Sequence, residues 1–333
     1  MAKKFCAEKV LIDSTHGTNK YKFYLTTLLT VDEFGAGCPV SYCVSTHTDT
    51  RSMQVFFEQI KKCIGNIKTK VFMSDDCDSY YSAWSVVVGH SEHRLLCTWH
   101  VDRAWRRNIC AKLNGNAMLK STVYKTLHLQ ADKEKFSELL DGFLTSCAEE
   151  EGTEEFGKYF KDRYSWRAHM WAYSYRIGLG LNTNMFLEAN HKTLKYSYLL
   201  KKINNRVDKC IQALLHRTRD SFFQRLIRLC KGTERTTHSA EVSKSHRRGC
   251  AINKELIHCI EDGTWHVYTV SDRPPYTVTY TENSCAGCPL SCTECKICVH
   301  SCMCFCTDNL IKSNLCEHIE AVEISKGTVK LPM

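Results

Sequence analysis

Two short apolar runs end in carboxylates. Val10-Leu11-Ile12 leads straight into Asp13, and Val71-Phe72-Met73 reaches Asp75 after one serine. If both runs are neighbouring strands of one sheet, the two carboxylates stand side by side at its rim. Like charges a few ångströms apart raise one another's pKa unless a cation offsets them, so the pattern points to a divalent metal. A third oxygen ligand is on offer in NTNMFLEANHKTLK, where Glu188 follows capping polar residues and precedes His191 and Lys192 by about one turn. Each feature also has a plainer reading: Asp13 as a turn or N-cap residue, Glu188 as a solvated first-turn glutamate favoured by the helix dipole.

A second chemistry is written near the other end. Of 21 cysteines, nine fall between Cys285 and Cys316, and the other twelve are scattered singly, often among apolar neighbours. Without a signal peptide, thiols and metal sites are the better reading than a disulfide framework. Cys304-Phe-Cys306 and Cys316-Glu-His318 supply four ligands in two tight pairs, the set a tetrahedral structural zinc requires. The surrounding segment reads as polar, with little core of its own. Just upstream, Cys285, Cys288, Cys292, Cys295, Cys298 and His300 are enough for a second zinc, although spacing does not say which four would bind.

Composition bounds what can hold these groups in place. The chain has 333 residues, 43% hydrophobic and 24% charged, enough for one large or two modest cores. No apolar run approaches the roughly 18–20 residues of a membrane span, and MAKKFCAEKV lacks the apolar core of a signal peptide, so an intracellular, soluble protein is expected. The net charge of +9 is unevenly spread: Lys192 to Arg248 carries 15 basic against 4 acidic residues. A concentrated basic region suits a polyanionic partner, with Lys201, Lys202 and Arg206 as candidate phosphate contacts.

The elements follow from periodicity. Val10 to Asp13 reads as a strand, and Lys22 to Ser45 as a hairpin turned by DEFGAG. Met53, Phe56, Phe57, Ile60 and Ile64 form the stripe of an amphipathic helix that Asp49 or Thr50 could cap. The strand Lys70 to Met73, a helix over Asp78 to Val88, the strand in RLLC and a helix with Val101, Trp105 and Ile109 on one face complete an α/β order, with helices covering the sheet. Asn114 to about Gly180 turns purely helical. A helix follows from Asn182–Asn184, and another carries Ile203, Val207, Ile211 and Leu214 on one face. Lys231 to Arg248 reads as a polar linker, and TWHVYTV and PYTVTY as strands before the cysteines.

The strings LIDSTHGTN, FMSDDCDSYYSAW, LLCTWHVDRAWRRN and NTNMFLEANHKTLK, in this order, resemble the Mutator-like element (MULE) transposases, and CMCFCTDNLIKSNLCEH resembles the SWIM zinc finger that often follows their core. The resemblance runs from about Val10 to Ile319. It implies an α/β fold: an RNase H-like mixed sheet flanked by helices, with a helical insertion (about 114–180) in a core over 1–200, a basic helical region and linker over 201–248, and a small zinc-stabilised module over 264–325. It implies a catalytic triad of Asp13, Asp75 and Glu188 holding magnesium for DNA strand cleavage and transfer. Asp76 is a rival for the second position, but it and Asp78 read better as caps of the next helix. Cys97 and His100 match a Cys-x-x-His element of the family. Two ligands do not make a zinc site, so Cys97 reads as a strand-end core residue, His100 as an active-site neighbour, and Trp99 and Trp105 as core.

By the same resemblance the expected partner is DNA, with self-association as a further expectation, no membrane, no small-molecule organic cofactor, and nuclear localisation without a readable targeting signal. Complete relatives commonly carry a DNA-binding zinc finger before the core, whereas this chain starts a few residues before its first strand. The alternative is therefore a domesticated, non-catalytic zinc-binding factor that contacts DNA or protein.

Overall fold

A computed structural model describes residues 2–32, 35–112, 132–150, 152–202, 206–231, 237–269, 275–281, 291–310, 312 and 314–327. The chain forms two compact units. The first is built from residues 1–120, 144–171 and 183–233, the second from 121–143, 172–182 and 234–333.

The first unit is organised by a five-stranded mixed sheet. A short helix α1 (Ala2–Glu8) precedes β1 (Lys9–Thr15), β2 (Tyr24–Val31) and β3 (Gly37–Ser45); α2 (Thr50–Ile64), β4 (Val71–Ser74), α3 (Asp78–Val87), β5 (His93–Leu96) and α4 (Thr98–Lys112) follow. The strand order is β3-β2-β1-β4-β5. The first three strands pair antiparallel, and β4 and β5 join parallel to β1. This is the mixed sheet flanked by helices that the sequence leads one to expect.

Side-chain alternation explains the layering. Val10, Ile12, Leu28 and Phe72 pack with Met53, Phe56, Phe57 and Ile60 of α2 and Tyr80, Ala83 and Trp84 of α3. Each fully buried aromatic or branched side chain contributes about 1.5–3 kcal/mol. Asp49 Oδ1 accepts the Ser52 N–H at 2.8 Å to start α2, and Gly65, at φ 76°, ends it by donating its N–H to Lys61 O. The described elements between residues 132 and 180 are helical: α5 (Lys133–Glu149), α6 (Glu154–Arg163), α7 (Ala168–Trp171) and two 3₁₀ turns. Trp105 of α4 is buried against Phe160, Tyr164 and Trp171 at centroid distances of 5.0–5.5 Å. Trp99, expected in the core, is 44% exposed.

Two helices complete this unit: α8 (Met185–Thr193), extended by a π-helical turn over Leu194–Tyr198, and α9 (Val207–Lys231). The expected inward face of α9 is rotated. Cys210, Ala213 and Leu214 are buried with Leu25, Leu194 and Leu199, whereas Ile211 is 46% exposed; Ile203 lies outside the described residues.

In the second unit, β6 (Ile257–Glu261), β7 (Thr264–Val267), β8 (Tyr276–Tyr280) and β9 (Cys302–Cys304) form an antiparallel sheet in sequential order. Helix α10 (Thr237–Cys250) precedes this sheet; the short α11 (Thr307–Leu310) follows it, then α12 (Glu317–Ser325). Two expectations are corrected. Much of the supposed linker is helix α10, packed on α12. The unit is also not poor in core: Val242, Val267, Val278, Leu315, Ile319, Val322 and Ile324 are buried together with the cysteines.

Candidate functional site

The register of the first sheet brings the two aspartates together. Leu11 pairs with Met73 in the parallel β1–β4 ladder, so two residues further along, Asp13, inside β1, and Asp75, just past the end of β4, stand at equivalent positions. The Ser14 N–H donates to Asp13 Oδ1 at 2.8 Å. Ser14 Oγ lies 2.6 Å from Thr26 Oγ1 and accepts from the Tyr80 hydroxyl at 2.7 Å, which fixes the strand next to the carboxylate.

Both carboxylates are held uneasily. Burial, then the charges of Asp75 and Glu188, push Asp13 up to about 7, against the Ser14 N–H and the Lys195 ammonium. Burial and the neighbouring Asp76 push Asp75 up to about 6, and its Oδ1 is buried with no hydrogen-bond partner. Asp76 is in a different situation and does not cap the next helix. It accepts from Arg167 Nη1 and Nη2 at 2.6 and 2.8 Å and from Arg163 Nη2 at 3.2 Å. Burial opposes ionisation there, but the two guanidinium groups keep its carboxyl below the usual range.

Glu188 is carried by α8, which three contacts tie to the sheet. The Asn184 N–H donates to Cys97 Sγ at 3.2 Å, just past the end of β5. His191 Nε2 lies 2.9 Å from Thr27 Oγ1, and Thr27 is the β2 partner of Asp13. A Cβ on Gly37 would lie 2.9 Å from Phe186 Cβ, so glycine there lets α8 approach β3. Cys97 is thus a buried strand-end residue that also anchors the glutamate's helix. Burial, then Lys195, lowers His191 to about 4, leaving it neutral. Lys195, on the π-helical turn, donates to Thr15 Oγ1 at 2.6 Å, close enough for its charge to act on Asp13. Such turns are frequent at functional sites.

Asp75 opens onto a cavity of about 510 Å³ whose lining includes Asp76, His100, Arg103, Arg107 and Arg163. His100 therefore lines the same space as Asp75; its Nδ1 is buried without a partner, and burial and the two arginines lower its pKa. Lys201 and Lys202 are exposed, with Lys201 at φ 61° and its ammonium 5.0 Å from the Tyr196 ring. Arg206 pairs with Asp208, and elsewhere in the basic region Arg219, Arg225 and Arg248 also face carboxylates, so part of the local excess is neutralised.

In the second unit the ligand atoms of Cys304, Cys306, Cys316 and His318 all lie within 4.8 Å of one another, and all four residues are buried. The group could hold a zinc ion. Strand β9 and the turn after it bring the first two cysteines, and the start of α12 brings the other two ligands. Asn309 Oδ1 accepts the Cys304 N–H at 2.7 Å, and the His318 ring stacks on Tyr276 at 3.9 Å. Burial, then Cys304 and Cys306, push the Cys316 thiol well up.

Of the upstream cysteines, two join residues that spacing did not single out. Cys292 and Cys295 converge with His246 of α10 and Glu320 of α12, all within 4.8 Å. Cys298 Sγ instead lies 4.0 Å from His300 Nδ1, and neither belongs to that group; Cys285 and Cys288 lie outside the described residues. The sequence reading missed His246 and Glu320 because His246 stands far from the cysteines in the chain and Glu320 belongs to no cysteine- or histidine-rich pair.

Residues 9–103, the segment carrying Asp13, Asp75, Cys97 and His100, match the MULE transposase domain. The match ends before Glu188. No curated protein matches the chain. None of the described helices is long and apolar enough to cross a membrane.

Proposed function

We propose that the first unit is a nuclear DNA transposase core in which Asp13, Asp75 and Glu188 hold magnesium for strand cleavage and transfer. The observation that carries this is the register-matched pair of aspartates: both have raised pKa values, and Asp75 keeps one buried oxygen without a partner. A divalent cation is what such a pair lacks. Asp75 is the better second acid than Asp76, whose oxygens are taken by Arg163 and Arg167. When bound, magnesium supplies activation of the attacking hydroxyl and neutralises charge at the leaving oxygen. The chain supplies the rest: α8 positions the third carboxylate, and Arg103 and Arg107 beside Asp75 offer cations to a phosphate backbone. Cys304, Cys306, Cys316 and His318 form a SWIM-type structural zinc site in this reading.

The test is magnesium-dependent nicking of supercoiled plasmid by the full chain. Asp13→Asn, Asp75→Asn and Glu188→Gln should each lower the rate by at least about 100-fold. Nicking that survives all three substitutions would remove the triad from the reading.

A further inference from the structure

We infer that the second unit holds a zinc ion bound by His246 Nδ1, Cys292 Sγ, Cys295 Sγ and a carboxylate oxygen of Glu320, separate from the ion at Cys304, Cys306, Cys316 and His318. The four groups come from three stretches of chain: α10, the segment following residue 291, and α12. His246 Nδ1 lies 3.7 Å from Cys292 Sγ, 3.4 Å from Cys295 Sγ and 3.0 Å from Glu320 Oε2. Ligands about 2.0–2.3 Å from a tetrahedral zinc stand roughly 3.3–3.8 Å apart, so the two sulfurs have the spacing of a ligand shell around the ring nitrogen, and the carboxylate oxygen at 3.0 Å would move out by a few tenths of an ångström to join it. A hydrogen-bonding role alone does not account for them, because one nitrogen cannot serve three partners at once.

Glu320 gives an independent sign. It is fully buried, and its Oε1 has no hydrogen-bond partner, so the pairing with His246 leaves half of the carboxylate unsatisfied. The backbone also brings its helix close. A Cβ on Gly249 would lie 2.8 Å from Glu320 Cβ and 2.9 Å from the Glu317 carbonyl oxygen, so α10 and α12 touch where His246 and Glu320 face one another. Cys250 Sγ, 3.6 Å from His246 Nε2, occupies the ring's other side and leaves Nδ1 to the ion.

Zinc would bind with loss of one proton from each thiol to solvent, leaving two thiolates, one carboxylate and a neutral imidazole around a doubly charged ion. Four protein ligands leave no open position, which makes the site structural. Because His318 and Glu320 are two residues apart on α12, both ions fasten the same helix, one to β9 and the other to α10.

Metal analysis of the purified full chain tests this. Two zinc ions per chain are expected, falling to one in Cys295→Ser and in His246→Ala, and staying at two in Cys298→Ser and His300→Ala. His246→Cys should restore the second ion, which a merely packing role for the imidazole would not do. Cobalt(II) bound to Cys295→Ser should keep the thiolate charge-transfer band of the Cys304 group, showing that the unit is still folded. A count unchanged by Cys295→Ser, or a single ion in the parent chain that Cys316→Ser removes, would overturn the inference. A single ion removed by Cys295→Ser but not by Cys316→Ser would uphold it and count against zinc at the SWIM-type group instead.

Discussion

At the scale of single residues, Asp13 and His191 make opposite demands on pH. Asp13 titrates near 7 in the fold against an ordinary 3.8, so the folded chain binds that proton more tightly than the unfolded one, and stability falls as pH rises from about 4 to 7. His191 titrates near 4 against 6.5, so its contribution is complete above 6.5 and is lost as pH falls towards 4. In metal-free buffer at pH 8, Asp13→Asn should therefore stabilise the first unit, on the order of 1–3 kcal/mol, and the gain should vanish by about pH 4. His191→Asn should remove the acid-side loss. Urea midpoints of the three proteins between pH 4 and 8 check both signs; parallel profiles would contradict both assignments. Arg167 makes a further case. It is 3% exposed and binds Asp76 through two nitrogens, so Arg167→Met should cost about 3 kcal/mol by leaving a partly buried carboxylate with only the more exposed Arg163.

At the scale of elements, the strands and α2 were legible because apolar residues recur at strand or helix period and point to one core. Helix α10 was not. Its inward positions are Val242, Ser245, His246 and Gly249, a helical i, i+3, i+4, i+7 face in which three of the four side chains are polar or absent. Periodicity counted on hydrophobes alone therefore reports a linker. Counting serine, glycine and histidine as admissible at a close helix contact would have found it. The pairing of Asp76 with Arg163 and Arg167 was equally hidden, since its partners are 87 and 91 residues away and sequence carries no sign of that approach. Asp13 and Asp75 were legible because an acid closing an apolar run is a local feature and a parallel register needs only two of them. At this scale, chelation should expose residues 291–327 to protease while 9–103 stay protected, since the zinc-ligand groups lie in the second unit. Equal protection of both segments after chelation would show that the metal does not hold that unit together.

At the scale of the molecule, the basic excess between Lys192 and Arg248 is smaller in effect than in formal count, because several of its arginines face carboxylates. Lys201 and Lys202 are exposed at the end of the π-helical turn that carries Lys195. Reversing the charge of Lys201, Lys202 and Arg206 together should flatten the salt dependence of DNA binding by roughly 2–3 in logarithmic slope, at about 0.9 for each phosphate no longer neutralised. Fluorescence anisotropy across a salt series measures it, and an unchanged slope would place the DNA elsewhere.

The first unit is threaded from three separate stretches, with Asp13 and Asp75 in the first and Glu188 in the last. A ribosome adding about 5–20 residues per second needs roughly 6–23 seconds to pass from Asp75 to Glu188. All five strands of the first sheet have by then been made, so the aspartates can pair while the third carboxylate is still unsynthesised. In the proposed reading, a prematurely terminated chain that stops before α8 carries the metal-binding pair without the third carboxylate, and so without the means to cut.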